Sequence, residues 1–255
     1  MSSVVVVGGG VAGLTAAVSA LEAGATQVTL LEREAKLGGN SAKASYGINA
    51  VGPGDSAEAF AEDILASAGG PSDSADPALV RRLAEGSADA KAWLEGLGMK
   101  FEEVVQGAGS RAPRLHRAMG FMLVATLGKR LEHFVSEGRA TVVKEARATG
   151  LLAGGAGVYG VRYIQGGSEA EARGAVVLSS GGFSVNPEMV SEGKATLPIT
   201  QGPWTVGEGL RMAEAAGAKI VGSGDVQVHP TGFVDPKDRT ARSSILASES
   251  LRQAG

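Results

Sequence analysis

Four consecutive valines, Val4–Val7, run directly into Gly-Gly-Gly-Val-Ala-Gly at 8–13 and then into a stretch with helical spacing that reaches about Ala23. Few folds accept a short apolar strand that turns through glycines straight into a helix. Gly8, Gly10 and Gly13 fall in G-x-G-x-x-G register. Gly8 permits the tight turn, Gly10 lets the backbone approach a pyrophosphate, and Gly13 allows the helix to pack closely on the strand. The helix start, at Val11 and Ala12, then offers unpaired N–H groups and partial positive charge to phosphates. Residues 27–32 (QVTLLE) predict a second strand that ends on Glu32, placed where an acid accepts hydrogen bonds from a ribose hydroxyl. A Gly-rich turn with no ligand accounts for the glycines but leaves the acid without a purpose.

The next loop separates two kinds of dinucleotide. After Glu32 comes REAKLGGNSAKASYGIN at 33–49, with a second Gly pair followed by Asn40 and Ser41. Small residues and short hydrogen-bonding side chains suit an extended cofactor half lying against backbone. An isoalloxazine ring needs that contact and a nicotinamide reader does not, so the loop favours FAD.

Composition narrows the field further. Glycine makes up 39 of 255 residues, about twice the usual ~7%, yet without the G-X-Y period of collagen. A 44% hydrophobic content is too high for a disordered chain. The net charge of −3 and the lack of a basic stripe argue against nucleic acid as a partner. The absence of cysteine removes disulfides, thiolate catalysis and Cys-based metal sites. Three scattered histidines, His116, His133 and His229, do not make a metal site. No apolar run approaches the ~20 residues needed to span a bilayer, and the strand begins too early for a signal peptide. These features predict no membrane association, no visible targeting segment, and a location in the cytoplasm or an organellar lumen.

Further along, helices are expected over 55–68, 77–97, 119–136 and 205–216, with Asp76 capping the second and Pro77 at its first position. Segment 106–118 reads as a basic loop. Strands are expected at 140–145, 148–152, 158–164 and 172–178, and near 219–221 and 225–228. Within this set, VVLSSGGF at 176–183 reads as a buried strand ending in a Gly pair. The predicted class is α/β, a Rossmann-like FAD-binding domain with a β-rich insertion.

With these residues in view, the chain resembles the fumarate reductase/succinate dehydrogenase flavoprotein family, the soluble single-chain fumarate reductases above all. The likeness rests on VVGGGVAGL at 6–14, LLEREAKLGGNSAKAS at 30–45, VVLSSGGFS at 176–184, GPWTVGEG at 202–209 and VQVHPTG at 226–232. It assigns Glu32, Arg33, Gly39, Asn40, Ser41, Ser45, Tyr46 and Gly47 to FAD, beside the residues of the first turn. It also implies a backbone contact to adenine at Ala146, a close approach by Gly181 and Gly182, and a cofactor contact at Glu208, where relatives usually carry Asp. Tyr46 stands where relatives have Gly or Ser beside the flavin. With no histidine before His116, the resemblance implies non-covalent FAD.

The same resemblance implies a substrate end. His229 and the Ser248–Glu249 pair would hold a small dicarboxylate, Arg252 falls on the proton relay, and Glu249 and Arg252 are the implied catalytic residues. Hydride would pass from reduced flavin to the double bond of fumarate to give succinate. The domain reading is 1–225 for FAD binding, lacking its closing segment, and 226–255 for the start of a substrate-capping domain. Relatives continue past this point, so a C-terminally truncated, catalytically impaired FAD-binding fragment is an alternative. A flavoprotein acting on another unsaturated acid is a further one. The electron donor stays open, with NADH a candidate.

Overall fold

The computed structural model describes residues 2–72, 75–107, 109–190, 194, 197–224, 226–228, 232–233, 236–240 and 245–246. In chain order the elements are β1 (Ser3–Val7), α1 (Val11–Glu22), β2 (Gln27–Leu31), α2 (Gly39–Lys43), β3 (Gly47–Asn49), α3 (Ala57–Ser67) and α4 (Pro77–Gly96). They continue with β4 (Val104–Val105), β5 (Leu115–Arg117), α5 (Gly120–Ser136), β6 (Ala140–Val143), β7 (Ala146–Gly154), β8 (Gly157–Gln165) and β9 (Ser168–Arg173). The last are β10 (Ala175–Leu178), α6 (Glu208–Ala215), β11 (Gly232–Phe233) and β12 (Ile245–Leu246).

A parallel sheet in the order β10-β1-β2-β6 forms the middle layer. Side chains of a strand alternate between its faces, and the two faces of β1 meet different layers. Val4 and Val6 turn toward helices α1 and α5, where Leu14, Val18 and Leu21 pack against Leu123, Leu127, Leu131 and Phe134. Val5 and Val7 turn the other way, onto Ala146, Ala148, Val161 and Ala172 of an antiparallel meander, β7-β8-β9, with Met212 of α6. The meander is the expected β-rich insertion. Gly166 and Gly167, both at positive φ, form its two-residue β8–β9 turn.

The helix boundaries follow local chemistry. Asp76 caps α4 by accepting the Ala78 amide at 2.7 Å, with Pro77 at the first helical position as expected. Ser56 does the same for α3 through the Ala59 amide at 3.1 Å. Helix α6 starts at Glu208 rather than 205, after Gly207 at φ +80°. No helix among the described residues is long and apolar enough to cross a membrane.

Three expectations change. Segment 172–178 is two strands rather than one: β9 ends at Arg173 in the meander, and β10 starts at Ala175 in the parallel sheet. The break is Gly174, at φ +155°, where a Cβ would lie 2.5 Å from the Ser3 carbonyl oxygen. Strand β10 is also an edge strand, with Val177 and Leu178 37% and 36% exposed, so it is not buried. No strand forms at 219–221 or 226–228.

The basic loop at 106–118 is the third correction. Strand β5 lies inside it, flanked by β3 and β4 in a small antiparallel sheet. Arg114 is wholly buried and paired with two carboxylates. It grips Asp55 in bidentate fashion, with Nε to Oδ2 at 2.5 Å and Nη2 to Oδ1 at 2.7 Å, and its Nη1 donates to Asp63. Arg111 pairs with Asp63 and Glu62. Arg114 and Arg111 thus tie the segment to Asp55 and to α3, while Arg117 stays at the surface, paired with Glu103.

Candidate functional site

The sheet's C-terminal edge opens onto a cavity of about 620 Å³, within the usual range for a small-molecule site. Its floor is the turn between β1 and α1. Gly8, at φ +102°, runs so close to the Ser179–Ser180 backbone that a Cβ would overlap the Ser179 carbonyl. A Cβ on Gly13 would overlap the Gly8 carbonyl, so the helix-on-strand approach depends on its absence. Gly10 faces the second loop, where its Cβ would come 3.4 Å from Ser41 Oγ. The amide of Leu14, bonded to the Gly10 carbonyl at 2.9 Å, is the first in α1 with a backbone acceptor. Helix α1 therefore points its N-terminus at the cavity, which Gly10, Val11 and Ala12 line, with the Val11 amide taken by Ser41 Oγ.

Glu32 is held rather than free. Its Oε2 accepts the Gly9 amide at 2.7 Å and its Oε1 accepts the Glu34 amide at 2.8 Å. Each oxygen keeps a lone pair for a ribose hydroxyl. Arg33 and Ala146 line the same end. The Ala146 amide donates to the Glu32 carbonyl at 2.9 Å, so its backbone ties β7 to the end of β2. Glu208, at the start of α6, bridges two guanidinium groups: Arg33 at 3.1 Å and Arg147 at 2.7 Å.

The opposite wall is α2. Ser41 Oγ accepts the Val11 amide at 3.0 Å and so caps α1 from a neighbouring element. Asn40 Oδ1 accepts the Gly202 amide at 2.8 Å, which fastens the 202–205 loop over the cavity. Gly39 and Gly181 line the cavity, whereas Ser45, Tyr46, Gly47 and Gly182 lie outside its lining. Gly47 is pressed on the His116 carbonyl, where a Cβ would overlap it. The substrate-end residues His229, Ser248, Glu249 and Arg252 lie outside the described residues, as does most of 226–255.

Sequence reasoning missed several lining residues. Gly9 is one: a Cβ there would lie 2.5 Å from Leu37 Cδ2 and 3.0 Å from Glu32 Oε2. The middle glycine of the triplet is not part of the fingerprint, so only the contact reveals its need. Ser179, Trp204 and Thr205 are others, brought in from distant segments, while Arg147 stands outside the lining as a partner of Glu208.

Together these features define a dinucleotide-binding protein of Rossmann-like fold, with a cradle of glycine backbone, a helix N-terminus and an anchored acid. The FAD-binding domain model matches residues 3–255. The chain belongs to that family. It is 35% identical over 98% of its length to a fumarate reductase of Schizosaccharomyces pombe, of which it spans 53%. It is 32% identical over 99% of its length to an NADH:fumarate oxidoreductase of Klebsiella pneumoniae, of which it spans 28%. Among solved structures, the open conformation of a flavocytochrome c3 fumarate reductase superposes with a TM-score of 0.86 and 30% identity, over 100% of this chain and 46% of that one. The chain thus spans about half the length of the first curated relatives it matches.

FAD is the cofactor, and the residues present fit it. The cradle at 8–10 leaves room that side chains there would fill, and the Glu32 carboxylate is fixed beside it by the Gly9 amide at 2.7 Å.

Proposed function

We propose that this chain is the cofactor-holding part of a fumarate-reductase-type oxidoreductase that reduces the double bond of a small dicarboxylate such as fumarate. The observation that carries the reading is the cradle itself, a glycine-lined cavity with an anchored acid in a chain similar along its whole length to fumarate reductases. FAD, when bound, supplies the hydride. The helix α1 amides would hold the pyrophosphate, Glu32 the ribose, and the α2 wall the half of the cofactor that leads to the flavin. His229 and Ser248 are proposed to bind substrate carboxylates and to polarise the alkene, and Glu249 and Arg252 to carry the proton. Residues 1–225 are proposed as the FAD-binding domain and 226–255 as the start of a capping domain. FAD is proposed to be non-covalent, and NADH is the candidate electron donor, as in the name of the Klebsiella relative.

The test is anaerobic. The FAD-loaded chain is photoreduced and mixed with fumarate, and return of the oxidised flavin spectrum with formation of succinate is the expected result. A second reading is that the chain holds FAD but needs further polypeptide to turn over. The coverage of about half of each fumarate reductase relative favours it. Retention of FAD with no reoxidation by fumarate selects that reading, and failure to retain FAD sinks both.

A further inference from the structure

Asn40 and Ser41 are neighbours on the short helix α2, and each reaches a different element. Ser41 Oγ takes the Val11 amide at the start of α1, whereas Asn40 Oδ1 takes the Gly202 amide, 162 residues further along the chain. A second side chain of α2 makes the same crossing: Lys43 Nζ donates to the Thr200 carbonyl at 3.2 Å. Residues 40 and 43 lie three apart and so share one face of the helix.

The segment they hold is tied up within itself. The Gly202 carbonyl accepts the Thr205 hydroxyl at 2.8 Å, and Thr205 is only 1% exposed. A Cβ at 202 would stand 2.1 Å from the Trp204 ring, so the turn closes only over a glycine. At the root of the segment the Gly207 amide returns to the Gly182 carbonyl at 3.1 Å, and Gly207 takes φ +80°, a conformation that favours glycine. Residues 200–205 thus form a strap, rooted at 207 and fastened to α2 by two side chains. Strap and helix line the same cavity, Trp204 and Thr205 from the one, Gly39, Asn40 and Ser41 from the other. Lys43 is not part of that lining.

We propose that Asn40 is a positioning residue that latches the 200–205 strap to α2, and that the parting of strap from helix sets how fast FAD leaves the cavity. Lys43 is the second, weaker fastening. The proposal rests on the FAD reading of the cavity and not on the reaction that follows. The latch is already made in the chain alone, so this wall is shaped before the cofactor arrives and less ordering remains to be done on binding.

The test separates the latch from any direct contact between Asn40 and FAD. Asn40→Ala removes the acceptor, and Asn40→Asp keeps one for the Gly202 amide. In the cofactor-free chain, hydrogen exchange at the Gly202 amide should be about tenfold faster in Asn40→Ala and no faster than in the parent in Asn40→Asp. FAD release is then followed by flavin fluorescence after dilution of the loaded chain. It should be about tenfold faster from Asn40→Ala. Lys43→Met loosens the strap without touching the cavity lining, and should speed release about twofold.

Unchanged exchange at Gly202 in Asn40→Ala overturns the latch, as does faster exchange in Asn40→Asp, since the carboxamide oxygen would then not be what holds the strap. Release at the parental rate from Lys43→Met, with faster release from Asn40→Ala, overturns the strap's part in release and leaves Asn40 acting on FAD itself. A chain that takes up no FAD overturns the cofactor reading together with this one, whereas FAD uptake with release unchanged in both variants overturns this one alone.

Discussion

The Glu32 carboxylate accepts the Gly9 amide at 2.7 Å across a separation of 23 residues. That bond joins the phosphate turn to the end of the second strand, so the acid both shapes the cradle and serves it. Glu32→Gln replaces an anionic acceptor with a neutral one and sets an NH2 group against an amide donor. Hydrogen bonds to a charged group contribute about 1.5–3 kcal/mol. FAD affinity should fall between about ten- and a hundredfold, read by fluorescence titration. Unchanged affinity would remove Glu32 from the site.

Ser41 caps α1 from outside, through the Val11 amide at 3.0 Å. Ser41→Ala should cost about 1 kcal/mol, or ~2–4 °C in melting temperature. The loss should appear without FAD, because the cap is present in the chain alone. A variant that melts like the parent without FAD would show that the hydroxyl serves the cofactor only.

Two glycines separate necessity from tolerance. Gly13→Ala would drive a Cβ into the Gly8 carbonyl and to within 2.7 Å of Ser179 Oγ. It should destabilise by about 3 kcal/mol, because neither backbone can yield easily. Gly86, inside α4, has nothing within 4 Å of its Cβ position. Gly86→Ala should stabilise by about 0.5–1 kcal/mol. Denaturant unfolding of both variants checks the pair, and the opposite ranking would refute the packing account.

The acid limb of stability should fall in two stages. Burial holds the His116 imidazole below its usual value of 6.5, against a weaker upward pull from the Ala50 carbonyl. The unfolded chain then binds more protons than the folded one just below that value, so stability begins to fall as pH drops through 6.5. Asp63 is the second stage. Burial alone would raise its pKa, but the Arg111 amide and the Arg114 and Arg111 guanidiniums outweigh that and hold it at about 2. Asp55 is lowered too, chiefly by its hydrogen bonds from Arg114. For these depressed carboxyls the contribution is full above the unfolded value of 3.8 and is lost as pH falls toward 2. Urea unfolding at stepped pH should show both stages. Asp63→Asn should flatten the lower one while reducing stability at neutral pH, since Arg114 keeps only Asp55. A lower stage that persists undiminished in Asp63→Asn would place its origin elsewhere.

The cradle was legible because it is local. A strand, three spaced glycines, a helix start and an acid at the end of the next strand lie within the first 32 residues, and each is read from its own neighbours. Helix caps such as Asp76 are local for the same reason. Strand β10 was misread because Val-Val-Leu at 176–178 has the composition of a buried strand. Whether it is central or at an edge depends on which strands lie beside it, and the sequence pattern does not encode that. Segment 106–118 was misread at Arg114, which looks like surface charge until Asp55 and Asp63 arrive from residues more than fifty positions earlier.

The sequence by itself determined that a strand, a glycine turn, a helix N-terminus and an acid open the chain, since backbone torsion limits and helix amides act over a few residues. The tertiary structure alone decided what closes the cavity. Asn40 reaches Gly202, Glu208 reaches Arg33 and Arg147, and the Trp204 indole comes to rest over Gly39. Such pairings depend on how helices and the meander stack on the two faces of β1. That stacking is set by the burial of apolar surface summed over the whole core, to which no short segment holds the key.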